Sequence, residues 1–310
     1  MIVTVTLNPA IDKALEVPEF RVGSHAKATL KGQLPAGKGN NIARGLARLG
    51  SAVVACGFIG GDEEDLFQQS LGREGADIRF TPVGGPTRTN TTIIDPVNHT
   101  DTHLREEGFT ATTSDCQRLR TDLNEVIERA GAGAFVVFGG SLPPGINTAE
   151  FVDVIEAVSG ESRVMVDTSR GALRAAMKGG RVEAVKPNLE ELGECLGRPV
   201  DSEFAPDAAR ELLDRVETVL LTAGAEGAYA VSKKNTVGAV CKLPPEEVRN
   251  TVGCGDAFLA GWLHGSEVSE SVEEALRWGV ATGAASARCE ETVGYHREDV
   301  ESLLSICEFL

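Results

Sequence analysis

The chain has 310 residues with a formal net charge of −16; 42% of them are hydrophobic and 25% charged. These proportions describe a globular chain with a core and exclude a disordered one, and the length suits one large α/β domain or two smaller ones. The acidity argues against a nucleic-acid face, which needs clustered basic residues, and against electrostatic docking on an anionic membrane.

The opening residues, 1–10, lack a basic stretch, and their apolar run is too short for a signal peptide. No apolar run approaches the roughly 18–20 residues of a membrane span. Ile2, Val3, Val5 and Leu7 read as a first strand. Ile42, Leu46 and Leu49 then form a helical face, with Asn40 and Asn41 as its expected caps. Short apolar runs at 53–58, 134–138, 163–167, 182–185 and 218–222 read as buried strands. Leu119, Leu123, Val126 and Ile127 give a helical face capped by Asp115, and Phe151, Val154, Ile155 and Val158 give another. Residues 228–232 and 236–241 read as an antiparallel edge, and 252–263 and 272–287 as consecutive helices rich in Gly and Ala. Alternating strands and helices with buried strands predict an α/β fold, a mainly parallel sheet covered on both faces. No repeat or long linker interrupts it, so residues 1–310 read as one domain. Two polar, alternating stretches, 15–34 and 87–105, break the rhythm; they read as strands outside the main sheet, either a small β-flap over the site or ordinary surface hairpins.

The seven cysteines are scattered, odd in number and free of C-x-x-C, a pattern of reduced, cytosolic chains. The sequons at Asn90 and Asn98 therefore carry no expected glycan. Glycine, at 35 residues, exceeds the usual ~7%, so many turns approach something closely.

Residues 251–258 (TVGCGDAF) carry the sharpest chemical signal. Gly253 and Gly255 precede an apolar helix, where free backbone N–H groups and the helix dipole favour phosphate oxygens. Asp256 in the first turn is either a helix-capping carboxylate or a general base beside that anion cradle. Residues 35–41 (PAGKGNN) resemble a P-loop, but Gly39 stands where a magnesium-binding hydroxyl is required and no buried strand precedes it; a glycine-rich helix entry with Lys38 and Asn41 suits a sugar or sugar phosphate. Residues 139–145 (GGSLPPG) and 186–191 (KPNLEE) each follow a strand, where ligands of open α/β sheets bind. Asn188 and Glu191 fit a capping box, and equally a carboxylate anchoring water-bridged Mg2+ near phosphates. The turn at 222–228 either approaches a nucleotide or simply reverses the chain. His99 and His103 with Asp101 are a weak metal pattern. Ser141 has no sequence-near His, so a Ser–His–Asp hydrolase is unsupported.

In order and spacing, residues 6–12 (TLNPAID), 36–41, 87–90 (TRTN), 140–145, 186–192 and 253–258 resemble the ribokinase-like (PfkB) carbohydrate kinases. The match is nearest the branch containing 1-phosphofructokinase and tagatose-6-phosphate kinase; the opening motif points to it. The resemblance implies a three-layer sandwich with a small β-sheet lid, here segments of about 12–34 and 86–106, often building a homodimer. It implies Asp256 as catalytic base and the amides of Gly253, Cys254 and Gly255 as anion hole. Asp12, Gly37 and Asn41 match positions gripping sugar hydroxyls; Lys38, Arg88 and Ser141 match the sugar-phosphate side, with Arg105 as a further phosphate ligand or a surface charge. Lys186, Asn188 and Glu191 match the motif tied to Mg2+ and nucleotide phosphates. Thr222, Gly224 and Gly227 resemble the nucleotide turn, with Gly279 and Gly283 near the adenine. ATP and Mg2+ follow as cofactors, and the family allows a monovalent cation such as K+. The implied reaction is phosphorylation of a hexose phosphate, foremost fructose 1-phosphate, in the cytoplasm; tagatose-6-phosphate kinase, 6-phosphofructokinase, a kinase of an unphosphorylated sugar or a silent sensor are the alternatives. The chain departs from the family pattern at Ala36, Asn40 and Cys254 and in a charged stretch at 102–108.

Overall fold

The computed structural model describes residues 1–61 and 63–310. In chain order the first elements are β1 (Ile2–Thr6), β2 (Ala10–Glu16), β3 (Thr29–Ala36), α1 (Lys38–Leu49), β4 (Val53–Gly60), α2 (Glu64–Arg73), β5 (Asp77–Val83), β6 (Arg88–Asp95) and β7 (Thr100–Arg105). There follow α3 (Thr113–Ala130), β8 (Phe135–Gly139), α4 (Thr148–Val158), β9 (Arg163–Asp167), α5 (Arg170–Gly179), β10 (Ala184–Val185), α6 (Leu189–Leu196) and α7 (Ala205–Arg210). The chain ends with β11 (Thr218–Thr222), β12 (Ala228–Ser232), β13 (Thr236–Val240), α8 (Cys254–Val268), α9 (Val272–Ala287), α10 (Arg297–Leu304) and β14 (Glu308–Phe309).

Ten strands form the main sheet in the order β14-β13-β12-β11-β10-β9-β8-β1-β4-β5. Every pairing from β5 across to β11 is parallel, and β11 to β14 are antiparallel. The apolar strands split by their period of two. Val3, Val5, Val136 and Phe138 face a core shared with α3, α4 and α5, where Phe138 meets Phe151 edge-on at 5.8 Å. Ile2, Phe135 and Val137 face the opposite core, shared with α1, α2, α8 and α9. Burying each such side chain contributes about 1.5–3 kcal/mol, which is why the strands read as continuous apolar runs.

A separate four-stranded sheet has the order β3-β2-β6-β7. Strands β3, β6 and β7 fall essentially in the stretches that broke the sequence rhythm, but β2 starts at Ala10, ahead of the stretch expected at 15–34, and residues 17–28 form no strand. That connection is tied down by Asp95, only 2% exposed, whose carboxylate accepts N–H bonds from Glu19, Phe20, Val97 and Asn98. Ala10 pairs with Arg88 and Ala36, which sets one end of the small sheet next to the carboxyl end of β1.

Asn40 and Asn41 do not cap α1: the helix starts earlier, at Lys38, with Gly37 as N-cap at φ +115°. Both side chains, carried into the first turn, are free to bond elsewhere. Asp115 is the third residue of α3, not its cap; Thr112 is the cap and the two form a reciprocal box. The strand expected at 182–185 is reduced to Ala184–Val185, and the helix expected at 252–263 runs from Cys254 to Val268. Strands β5 and β14 and helices α2, α5, α7 and α10 were not resolved by periodicity, because their buried faces are short.

The sheet packs so closely that glycine is required in its middle. At Gly57, φ is +125° and a Cβ would lie 2.0 Å from the Thr6 carbonyl oxygen of β1. Gly57→Ala should therefore destabilise the protein by on the order of 3 kcal/mol. Gly160→Ala, with nothing within 4 Å of the new Cβ, should stay within about 0.5 kcal/mol of the parent. Chemical denaturation of both variants checks this; equal midpoints would contradict it.

Candidate active site

Parallel strands converge with their carboxyl ends on one edge of the sheet, and the motifs of the chain collect there. The backbone crowds at this edge. A Cβ on Gly37 would lie 2.8 Å from Thr6 Cγ2, and one on Gly139 would lie 2.6 Å from the Gly39 nitrogen. Glycine at these points lets the start of α1 nest against the ends of β1 and β8.

The last residue of β9, Asp167, is wholly buried. Lys38 Nζ donates to its Oδ1 at 2.7 Å, and Lys186 Nζ stands 3.2 Å from Oδ2. Burial alone would raise the Asp167 pKa, but Lys186 and Lys38 outweigh it and hold the carboxylate below its usual range. Burial likewise penalises the Lys38 ammonium, and Asp167, Asp256 and Glu191 together outweigh that penalty. Glu191 Oε1 is 3.8 Å from Lys38 Nζ.

Asp256 sits in the first turn of α8, 6% exposed, and accepts a 2.8 Å bond from Asn41 Nδ2. Its pKa is pushed up to about 6, chiefly by burial and next by the Asp167 charge, against the opposing pull of Lys38, Asn41 and Lys186. Gly253 caps the helix in the left-handed conformation, φ +79°. Gly255 and Asp256 occupy positions whose N–H groups have no intrahelical acceptor. The Cys254 N–H is turned toward the Thr251 carbonyl at 3.4 Å, so it is partly engaged within its own turn. The head of α8 thus joins backbone donors, a partial positive charge and a carboxylate near neutrality, parts suited to proton abstraction beside an anion.

Beside the small sheet lies a second polar group. Asn90 Nδ2 donates to Asp12 Oδ1 at 2.8 Å, and Arg88 donates to the carbonyls of Pro9 and Asn8. Asn8 Nδ2 in turn donates to Ser141 Oγ at 3.1 Å. Burial, offset by Asp12 and reinforced by the Arg105 charge, lowers the Arg88 pKa. Arg105 is exposed on β7 opposite Asn90. Asp167, Asp256 and Glu191 act on Lys38, whereas Asp12 and Arg105 act on Arg88.

Asn188 and Glu191 form the capping box of α6, and the Asn188 backbone makes a parallel β-bridge with Thr222 at the end of β11. The chain then turns through Gly224 (φ +60°) and Gly227 (φ +104°). Gly279 and Gly283 face Phe258: a Cβ on Gly279 would lie 2.8 Å from its ring. These two glycines let α9 pack closely on α8. His103 Nδ1 meets Thr92 Oγ1 at 3.1 Å, and among the described residues no group of three or more His, Cys, Asp or Glu could hold a metal ion. Likewise, no helix among them is long and apolar enough to cross a membrane.

Sequence reasoning missed Asp167 as a site residue. It was visible only as the polar end of an apolar strand, a position where ligands gather. It also missed Asn8 and Asn90, whose partners lie 133 and 78 residues away.

Residues 6–296 match the pfkB family carbohydrate kinases. The chain is 34% identical to 1-phosphofructokinase of Rhodobacter capsulatus, over 90% of this chain and 88% of that one. It is also 34% identical to 1-phosphofructokinase of Escherichia coli K12, over 94% and 92% of the two chains. Phosphofructokinase-2 from Escherichia coli, solved in complex with potassium, superposes with a TM-score of 0.89 at 28% identity, covering 98% of each chain. With a mainly parallel sheet between helical layers, a small separate sheet and this sequence match, the chain belongs to the pfkB family of carbohydrate kinases and is 1-phosphofructokinase-like.

Proposed function

We propose that this chain transfers the terminal phosphoryl group of ATP to the C6 hydroxyl of fructose 1-phosphate, giving fructose 1,6-bisphosphate and ADP. The observation that carries the reading is Asp256, a buried carboxylate with a pKa near 6 at the head of a glycine-led helix. The relatives named 1-phosphofructokinase support fructose 1-phosphate as acceptor.

In this reading Asp256 accepts the proton of the attacking hydroxyl as that oxygen bonds to phosphorus and the bond to ADP breaks. Asn41 holds one carboxylate oxygen and leaves the other for the hydroxyl. The amides of Gly253, Cys254 and Gly255, with the dipole of α8, stabilise the charge on the moving group. Arg88 and Arg105 hold the phosphate already on the sugar, with Ser141 nearby, and Asp12 and Gly37 line its hydroxyls. Lys38 is assigned to the moving phosphoryl group, since its ammonium faces Asp167 and Asp256. Thr222, Gly224 and Gly227, with Gly279 and Gly283, line the nucleotide.

Membership in a kinase family implies ATP and Mg2+. Glu191 offers hard carboxylate oxygens with a side chain 13% exposed, and it lies beside Asn188. With no three-ligand group among the described residues, this donor set fits Mg2+ that arrives on nucleotide phosphates and keeps most of its waters. Asn188, Glu191 and Lys186 would hold it and its phosphates; when bound, it neutralises phosphate charge. A monovalent cation belongs to the same proposal, supported by the potassium complex of the Escherichia coli relative. So does a homodimer through the small sheet, where Leu30 on β3 and Leu104 on β7 expose apolar side chains. A cytoplasmic setting is supported by the seven free cysteines.

ADP release with ATP and Mg2+ should favour fructose 1-phosphate over tagatose 6-phosphate, fructose 6-phosphate and fructose in kcat/KM. A lead for unphosphorylated fructose would overturn the role of Arg88. Arg88→Ala should raise KM for the sugar phosphate roughly 10–100-fold and leave KM for ATP nearly unchanged, as loss of a charge-assisted contact predicts.

The pH dependence follows from the Asp256 carboxylate. Its conjugate acid cannot accept a proton, so kcat/KM should fall as pH drops through about 6. Asp256→Asn should bind both substrates yet lose about 100-fold or more in kcat. Because the native pKa is raised, the charged form costs stability at neutral pH; that contribution is favourable below the unfolded value and is lost as pH rises through about 6. Asp256→Asn should accordingly be more stable than the parent at pH 7, by on the order of 1–3 kcal/mol. Full turnover by this variant would remove the mechanism.

A further inference from the structure

We propose that Asp167 is a positioning residue, which gathers the ammonium groups of Lys38 and Lys186 from separate elements and fixes them beside Asp256 to neutralise the phosphoryl group in transfer. The proposal rests on the phosphoryl-transfer reading given above.

The three residues come from unconnected parts of the chain. Asp167 ends β9, Lys38 begins α1 where the chain leaves the small sheet, and Lys186 follows β10. One carboxylate oxygen takes each ammonium, at 2.7 Å for Lys38 and 3.2 Å for Lys186. The Lys186 side chain is 5% exposed, so it has little water to turn to. Its ammonium also reaches the helix head: a Cβ on Gly255 would lie 3.3 Å from Lys186 Nζ. Asp167 therefore holds a cation against the backbone that reads as the anion hole, and a second cation across from it.

Stability alone is a weak reason for such a cluster. A buried ion group recovers about what its desolvation costs, and well-packed apolar residues of similar size often serve as well or better. What the carboxylate adds is geometry. The other charged groups facing the two lysines are Asp256 from α8 and, for Lys38, Glu191 from α6 at 3.8 Å. Without Asp167, the acids left to the two ammonium groups are Glu191, 3.8 Å from Lys38, and Asp256, whose buried charge acts with both. The ammonium groups would then be drawn toward these carboxylates, the base among them, rather than stand beside the base. Asp167 thus keeps the cations available for phosphate and keeps the base free.

The test is Asp167→Asn, which keeps the shape and removes the charge. Melting temperature, kcat and both KM values are measured alongside Asp256→Asn, Lys38→Gln and the double variant Asp167→Asn/Lys38→Gln. A folded Asp167→Asn with kcat reduced about 100-fold or more and sugar-phosphate KM within about threefold is expected, as for loss of fixed charge stabilisation at a transition state. The double variant should be little worse than the poorer single one, because Asp167 acts through the lysines. Unchanged kcat, a loss confined to KM, or additive losses would overturn the proposal. Should Asp167→Asn not fold, Lys38→Gln, Lys186→Gln and their double variant replace it: losses in kcat that fail to add support a shared anchor, and additive losses overturn it. An inactive Asp256→Asn beside a fully active Asp167→Asn sinks this inference alone, whereas an active Asp256→Asn sinks the underlying reading.

Discussion

A carboxylate sealed from water at the end of a parallel strand must be answered by positive charge, and at Asp167 two lysines answer it. Much of the site takes its form from this requirement. The ion cluster draws the start of α1 toward β9 and the loop after β10 toward the head of α8. The Asp167 charge also helps lift Asp256 toward neutrality, against the same lysines and Asn41. One buried negative charge thereby organises its cationic neighbours and tunes a second carboxylate.

The polar edge is possible because the rest of the sheet is apolar on both faces. Side chains from β1 and β8 alternate between two cores, and helices cover each. Such a sheet leaves its ends as the place where strands can present polar groups without disturbing a core. Glycines at 37, 39 and 139 then bring backbone to backbone at that edge. The small sheet is joined to the same edge through Ala10 and Ala36. Within it, the charges of Asp12 and Arg105 act on Arg88.

Much of the architecture was legible in the sequence because it depends on local pattern. Apolar runs flanked by helical periods identified β1, β4, β8, β9 and β11, and the polar stretches near 15–34 and 87–105 marked three of the four strands of the second sheet, β2 beginning earlier, at Ala10. The helix entry at Asp256 was legible because glycines before an apolar helix have a local backbone reason to be there. The caps were less legible. Asn40 and Asn41 are good capping residues by type, but the close approach of Gly37 to Thr6 and Pro9 starts the helix earlier, and Asn41 is spent on Asp256. Asp115 has the right chemistry one position class away, as the acidic partner of Thr112.

By itself the sequence determined the alternation of strands and helices, the glycine-led turns and, through the order of its motifs, a likeness to carbohydrate kinases. Periodicity and turn chemistry act over a few residues, so they survive in a linear reading. Only the tertiary structure decided that Lys38 reaches Asp167, that Asn8 reaches Ser141 and that Asn90 reaches Asp12. It alone brought Asp167 and Asp256 close enough for one to raise the proton affinity of the other. Such pairings depend on which strand ends meet at the sheet's edge. Their strength depends on how much water burial removes, and neither quantity is written in the neighbourhood of any one residue.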